Sequence, residues 1–248
     1  MKQQGGTSIL LAAATELELR PVLDFLANYE QMSGTRYRVG KAEVTVLITG
    51  AGMLPTGFEL QRALQTAPTP YDLVLHLGVA GSYDRTIELA TVLEITTETI
   101  GDLGIEERDG SFTPLHRQPW HRETPPFEEG VLRNSERYFP NLPTAHGRTL
   151  NRVSGSEKSL AQLPSLPHTV ESMEGAAVFY TCLRMKQAFV SLRAVSNYVE
   201  PRDQAKWRMQ EAVEGLGVVC CGHLTRVASS DVGCFKYGKI TKKISHKI

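Results

Sequence analysis

The sequence predicts a single α/β domain, and three observations carry that expectation. Near the N-terminus an apolar run, TSILLAAA at residues 7–14, leads through Thr15 into a helical pattern, which is the order strand, junction, helix. Farther along, residues 171–203 reverse it: a helical stretch opened by Glu174 feeds the β-rich segment Ala188 to Val195, containing FVSLRAV, which closes at Asn197. The chain has 248 residues and no Pro/Gly/Ser-rich linker or break in composition, enough for one sizeable core with nothing to suggest two. The domain is expected over residues 1–228, with a basic tail over 229–248.

Taken in order, residues 7–14 read as a buried strand. Thr15 caps a helix over ELELRPVLDFLANY, with Leu17, Val22, Phe25 and Leu26 expected inward. Glu16 and Glu18 then sit at the strand-to-helix junction, where carboxylates complement the helix dipole. The same place lies beyond the carboxyl end of a strand, where open α/β sheets bind ligands. Arg36 to Gly40 and Glu43 to Thr49 form a hairpin turning near Gly40-Lys41, and the second strand runs into Gly50-Ala51-Gly52. Those glycines fit a tight turn that needs permissive torsions. Gly57 to Leu64 is a helix, Pro68 to Pro70 a break, and Asp72 to Leu77 a buried strand ending in Gly78-Val79-Ala80-Gly81.

Thr91 to Ile100 reads as a long strand followed by the turn Gly101 to Gly104, in which Asp102 suits an Asx turn. Residues 105–128 hold Pro114, Pro119, Pro125 and Pro126 with little apolar periodicity, as in a long loop serving as a lid or a contact segment. Thr144 to Val153 returns as a strand, Ser154-Gly155 turns, Glu157 to Leu163 is a short helix, and His168 to Glu171 a short strand into Met173-Glu174. Read alone, Glu174 is accounted for by helix capping and Asn197 by a turn after its strand. Tyr198 to Asp203 is irregular, and Gln204 to Ala228 fits a long closing helix. The tail carries five lysines and no acid beyond Asp231, the composition of a loose terminus.

Lys plus Arg equals Asp plus Glu at 27 each, so nothing in the balance favours nucleic acid or an anionic membrane, and a small-molecule partner is expected. No apolar stretch reaches the roughly 18 residues of a spanning helix, and MKQQGGTS lacks a signal-peptide profile, so the expected location is cytoplasmic. Cys182, Cys220, Cys221 and Cys234 form no CxxC pair and read as buried free thiols. His116 and His121 lack metal-ligand spacing, and no metal is expected.

MEGAAV at 173–178 followed by RAVSN at 193–197 resembles the nucleoside phosphorylase and nucleosidase superfamily, whose members show MEA or MEG and then RAISD. Within it, SNYVEPRDQAKW at 196–207 is similar to the futalosine hydrolases, menaquinone-pathway nucleosidases in which the strand ends in Ser-Asn and continues with Glu-Pro-Arg and a nearby Trp. The resemblance runs from Ile9 to about Arg226 and is weak between Glu106 and Thr144. It implies a nucleoside phosphorylase-like fold with a central mixed β-sheet flanked by helices, a nucleoside substrate, no cofactor and a homo-oligomer whose subunits complete each other's pockets.

The resemblance also distributes roles. Matching AATELEL to the family's acidic cluster puts activation of the attacking water on Glu18, and the Gly-x-Gly ending in Gly52 is implied near the ribose. Ala80 and Gly81 are implied to border base and sugar, with Val79 where the family often has Ser. Gly155 of the VSG turn faces the purine, and Met173 packs on the sugar. Glu174 receives the ribose hydroxyls, because an ionised carboxylate only accepts hydrogen bonds and places negative charge beside an oxocarbenium-like sugar. Asn197 departs from the Asp of adenine-releasing members: an amide offers an N–H to a carbonyl at purine position six, which points to hypoxanthine. Glu16 and Glu18 would repel phosphate, so hydrolysis is expected over phosphorolysis. The rival readings are a methylthioadenosine/S-adenosylhomocysteine nucleosidase, against which Asn197 counts, and a catalytically inactive nucleoside-binding protein.

Overall fold

The computed structural model describes residues 6–161 and 166–229. Its strands are β1 (Ser8–Ala13), β2 (Glu30–Ser33), β3 (Arg36–Val39), β4 (Ala42–Ile48), β5 (Leu73–Ser82), β6 (Val92–Ile100), β7 (Gly104–Glu106), β8 (Phe112–Pro114), β9 (Val131–Arg133), β10 (Thr144–Thr149), β11 (Thr169–Ser172) and β12 (Phe189–Tyr198). Its helices are α1 (Glu16–Leu26), α2 (Met53–Thr66), α3 (Glu157–Ala161), α4 (Gly175–Met185) and α5 (Met209–Ser229). Among the described residues, ten strands form one mixed sheet in the order β11-β10-β6-β12-β5-β1-β4-β3-β2, with β9 added beside β6. β4, β1, β5 and β12 run parallel, and β12 meets β6 antiparallel. The sheet curls until β11 pairs with the far end of β5 through Val170 and Ser82, closing a ring of five strands.

Period-two alternation divides the core. Ile9, Leu11 and Ala13 of β1 and Val190, Leu192 and Ala194 of β12 face α1 and α5, meeting Leu19, Val22, Leu216 and Leu224. Leu10, Val74, Phe189 and Val195 face the other way, onto Leu60 of α2 and Val178 and Phe179 of α4. Full burial of side chains such as Leu19 and Phe179 contributes about 1.5–3 kcal/mol each. The same alternation puts Ser191 and Arg193 on the α4 side of β12, inside the curl.

The α/β class, the mixed sheet and the flanking helices are as expected, with several local corrections. Leu17 is 56% exposed, and Leu19 takes the inward place. The inward stripe of α1 runs through Glu18, Leu19, Val22 and Leu26, and Leu17 lies about 200° around the helix from Leu19. Gly78 to Gly81 does not follow its strand but lies inside β5, which continues to Ser82. The strand expected to reach Val153 stops at Thr149. α2 begins at Met53, with Pro55 in its first turn, where a missing N–H costs nothing. The long closing helix begins at Met209, after a single 3₁₀ turn over Gln204–Lys206. The 105–128 segment carries the small β7–β8 hairpin. β2, reading EQMS and mostly exposed, has no apolar alternation to announce it. The tail expected over 229–248 lies outside the described residues except for Ser229, which ends α5, as does Cys234. No helix among the described residues is long and apolar enough to cross a membrane.

Candidate active site

Four strand ends bring residues toward Arg193 of β12, β1 through Glu18, β4 through Gly52, β5 through Gly78 and β11 through Glu174, while the end of β12 sets Asn197 beside Gly81. Glu18 is 7% exposed. One carboxylate oxygen accepts from the backbone N–H and the hydroxyl of Thr15, at 3.0 Å each, and the other accepts from the N–H of Val79 at 3.1 Å. The side chain therefore caps its own helix and ties that helix to β5. Glu16, the other acid of the junction, is exposed and does not share this position.

Glu174 is the N-cap of α4 and 6% exposed. Its Oε1 accepts from the Gly52 N–H at 2.8 Å. Gly52 holds that N–H out at φ 94°, a torsion that favours glycine. Glu174 Oε2 lies 3.9 Å from Nη2 of Arg193. Arg193 is 1% exposed, its Nη2 stands 3.5 Å from Ser172 Oγ, and its Nε–H has no partner among the described residues. A Cβ at Gly78 would lie 1.6 Å from Arg193 Nη1 and 3.1 Å from Glu18 Oε1, so the guanidinium occupies the place where β5 carries no side chain, with the Glu18 carboxylate at the edge of that place. The cation thus lies beside buried Glu174 and across Gly78 from buried Glu18. Arg193 had no assigned role in the sequence reading; its signal was a lone cation inside an otherwise apolar strand, which is costly unless it is paired.

Asn197 owes its position to a bulge. β12 slips register between Val195 and Asn197, setting Asn197 opposite Gly81, where a Cβ on Gly81 would stand 3.1 Å from Asn197 Nδ2. That nitrogen donates to the Tyr198 carbonyl at 2.9 Å, and Oδ1 accepts from Ser196 Oγ at 2.8 Å. A carbonyl can only accept, so the nitrogen must be the atom facing Tyr198. Ser196 Oγ also lies 3.3 Å from the carbonyl of buried Ala80. Asn197 lines a cavity of about 330 Å³ with Arg85, Leu89, Tyr198, Glu200, Lys206 and Trp207.

Gly155 is linked to the wall of that cavity through Arg202. Its carbonyl accepts from the Arg202 N–H at 3.2 Å, and Arg202 stacks 5.3 Å over the Trp207 ring. The turn is held by Glu171, which accepts from Ser154 N–H and Oγ at 2.8 Å each and from the Tyr83 hydroxyl. Burial, with the adjoining Glu171 acid, pushes the Tyr83 phenol up to about 12. Met173, half-buried, directly precedes Glu174. Of the predicted residues, Glu174 lies beside Arg193, Gly52 hydrogen-bonds to Glu174 and Glu18 lies across Gly78 from the guanidinium, with Met173 next to Glu174. Ala80 and Gly81 lie instead against Ser196 and Asn197. Asn197 lines the adjoining cavity and touches Gly81, and Gly155 stands apart, reaching the cavity wall through Arg202 and Trp207. Asp102 lies apart, accepting from the Asn151 N–H at 2.8 Å. Among the described residues no three His, Cys, Asp or Glu side chains are placed to hold a metal ion.

Comparison with known proteins agrees with this architecture. The Phosphorylase superfamily model matches residues 8–223. A futalosine hydrolase of Thermus thermophilus is 31% identical over 221 residues, covering 84% of this chain and 91% of the relative. One of Acidothermus cellulolyticus is 30% identical over 213 residues, covering 78% and 84%. Among solved structures, the 5'-methylthioadenosine/S-adenosylhomocysteine nucleosidase of Neisseria meningitidis superposes with a TM-score of 0.68 at 14% identity, covering 89% of this chain and 99% of that one. The native futalosine hydrolase of Helicobacter pylori gives 0.66 at 15%, covering 87% and 97%. The structural likenesses establish the fold, and the family match with the curated relatives establishes the kinship: the chain belongs to the phosphorylase superfamily, with the futalosine hydrolases within it.

Proposed function

We propose that this protein is a nucleosidase that hydrolyses the N-ribosidic bond of futalosine, releasing hypoxanthine and dehypoxanthine futalosine without a cofactor. The observation that carries the reading is the pair of buried acids on separate strand ends with an amide, not an acid, at the bulged end of β12. Glu18 orients and deprotonates the attacking water, help commonly worth about 10²–10⁴-fold. Glu174 accepts from the ribose hydroxyls and sets negative charge beside the oxocarbenium-like sugar. Arg193, 3.9 Å from Glu174, gives that acid a counter-charge in a dry site. Gly52 and Met173 border the sugar, and Ala80, Gly81 and Gly155 border the base.

The amide chemistry favours hypoxanthine. Asn197 spends one N–H on Tyr198 and one acceptor site on Ser196, leaving one donor for a purine carbonyl and one acceptor for a proton at N7. A methylthioadenosine/S-adenosylhomocysteine nucleosidase would need the opposite match at the exocyclic amine. The same reading carries a cytoplasmic setting, a step in menaquinone biosynthesis and a homo-oligomer. Futalosine and its 6-amino counterpart, supplied at equal concentration and followed by chromatography of the released bases, test it: hypoxanthine is expected first. Preferential adenine release would overturn the substrate, and binding without cleavage would turn the protein into a binding module.

A further inference from the structure

One buried acid has no place in that mechanism. Glu98 of β6 is 1% exposed, and its carboxyl occupies space left by two glycines on neighbouring elements. A Cβ at Gly147 of β10 would come within 2.0 Å of its Oε1, and one at Gly175, the first residue of α4, within 1.8 Å. Its Oε2 accepts from Thr149 Oγ1 at 2.9 Å, and the same hydroxyl accepts from the Ala176 N–H at 2.8 Å. Glu98 therefore reaches the first turn of α4 through one hydroxyl, and Glu174 is the cap of that turn.

We propose that Glu98, packed beneath the N-terminus of α4 and joined to it through Thr149, is a positioning residue that fixes the place of Glu174 and its hold on Arg193. This rests on the reading of Glu174 as the acceptor of the ribose hydroxyls. The charged groups that bear on Glu98 are Arg193 from β12 and Glu174 from α4. On β10, Arg148 turns to Tyr83 and Gly101, and His146 to Thr97; on β9, Arg133 turns to Glu128. One guanidinium cannot neutralise both nearby acids, so in a dry site one of them keeps a proton. Burial, only partly offset by Arg193 and Thr149 and reinforced by the Glu174 charge, pushes the Glu98 carboxyl up to about 8. Losing that proton sets a second anion beside Glu174 and divides Arg193 between them.

The test follows kcat/KM against pH in the wild type and in Glu98→Gln, for a ribonucleoside and for its 2'-deoxy counterpart. The amide stays neutral at every pH and still accepts from Thr149. Wild-type kcat/KM for the ribonucleoside should fall about tenfold per pH unit above about pH 8. The same curve should be flatter for the deoxynucleoside and flat in Glu98→Gln, whose activity at neutral pH stays within about threefold of wild type. An unchanged alkaline limb in the folded variant overturns the proposal. Should the variant not fold, infrared titration of the wild type decides: a protonated-carboxyl band disappearing around pH 8 supports the proposal, and its absence at neutral pH overturns it. If no nucleoside is cleaved at any pH, the functional reading fails, and calorimetric binding of the two nucleosides across the same pH range then decides for Glu98.

Discussion

Replacing Glu18 with Gln separates chemistry from scaffolding. Three donors point at the wild-type carboxylate: the Thr15 N–H, the Thr15 hydroxyl and the Val79 N–H. A glutamine has one oxygen to offer them. Turned toward Thr15 it keeps two of these bonds and sets its own NH₂ against the Val79 N–H; turned the other way it loses two. The first arrangement is cheaper and strands one buried donor, which costs about 1–3 kcal/mol. For a chain of this size the melting temperature should drop by about 2–4 °C per kcal/mol. The chemical loss is larger. Without a base, turnover should fall about 10²–10⁴-fold, or roughly 3–5 kcal/mol of barrier. Base release by chromatography gives the first quantity, thermal unfolding the second, and calorimetry with hypoxanthine shows that the base pocket still binds. Turnover within about tenfold of wild type, in a variant with the expected loss of stability, would reduce Glu18 to a helix cap and refute the mechanism.

Three further substitutions probe the rest. Asn197→Asp sets a carboxylate against the hypoxanthine carbonyl, so the preference for hypoxanthine over adenine nucleosides should fall by about 1–3 kcal/mol, or roughly five- to a hundredfold; a constant ratio with reduced activity would make Asn197 structural. Arg193→Met leaves Glu174 without its cation. Because the contacts of Arg193 are long and its Nε is unpaired among the described residues, the loss should sit near the low end for breaking a buried pair, about 3 kcal/mol by denaturant titration; an unchanged midpoint would contradict it. Glu98 makes stability depend on pH. Its folded pKa is raised from 4.5 to about 8, so its contribution is fully present below about pH 4.5 and is lost as pH rises through 8. The loss by about pH 8 is on the order of 4 kcal/mol. Glu98→Gln should remove that slope, and parallel wild-type and variant curves would count against a protonated Glu98.

The fold was legible wherever local pattern and tertiary role coincide. Apolar runs bounded by capping and turn residues announce β1, β4, β5 and β12, and Thr15 marks the start of α1. The pattern failed where a polar group took an inward place. Glu18 is drawn to the Val79 N–H of a strand about sixty residues away, and with Glu18 and Leu19 inward Leu17 faces solvent. Spacing within one helix carries no trace of that bond. Glu174 and Asn197 were readable as site candidates because MEGAAV and RAVSN travel together. Arg193 and Glu98 were not, because their meaning depends on the curl that brings β6, β11 and β12 to one point. The β12 bulge was equally silent, since a one-residue slip leaves the sequence SNY unchanged.

The most direct test of the account is hydrolysis of futalosine in phosphate-free buffer made with ¹⁸O-water, with mass analysis of both products. If Glu18 delivers water to the anomeric carbon, hypoxanthine appears unlabelled, and the sugar carries one heavy oxygen at the position the base has left, provided it is trapped before exchange. Cleavage that starts only when phosphate is added, yielding a sugar phosphate, would contradict it.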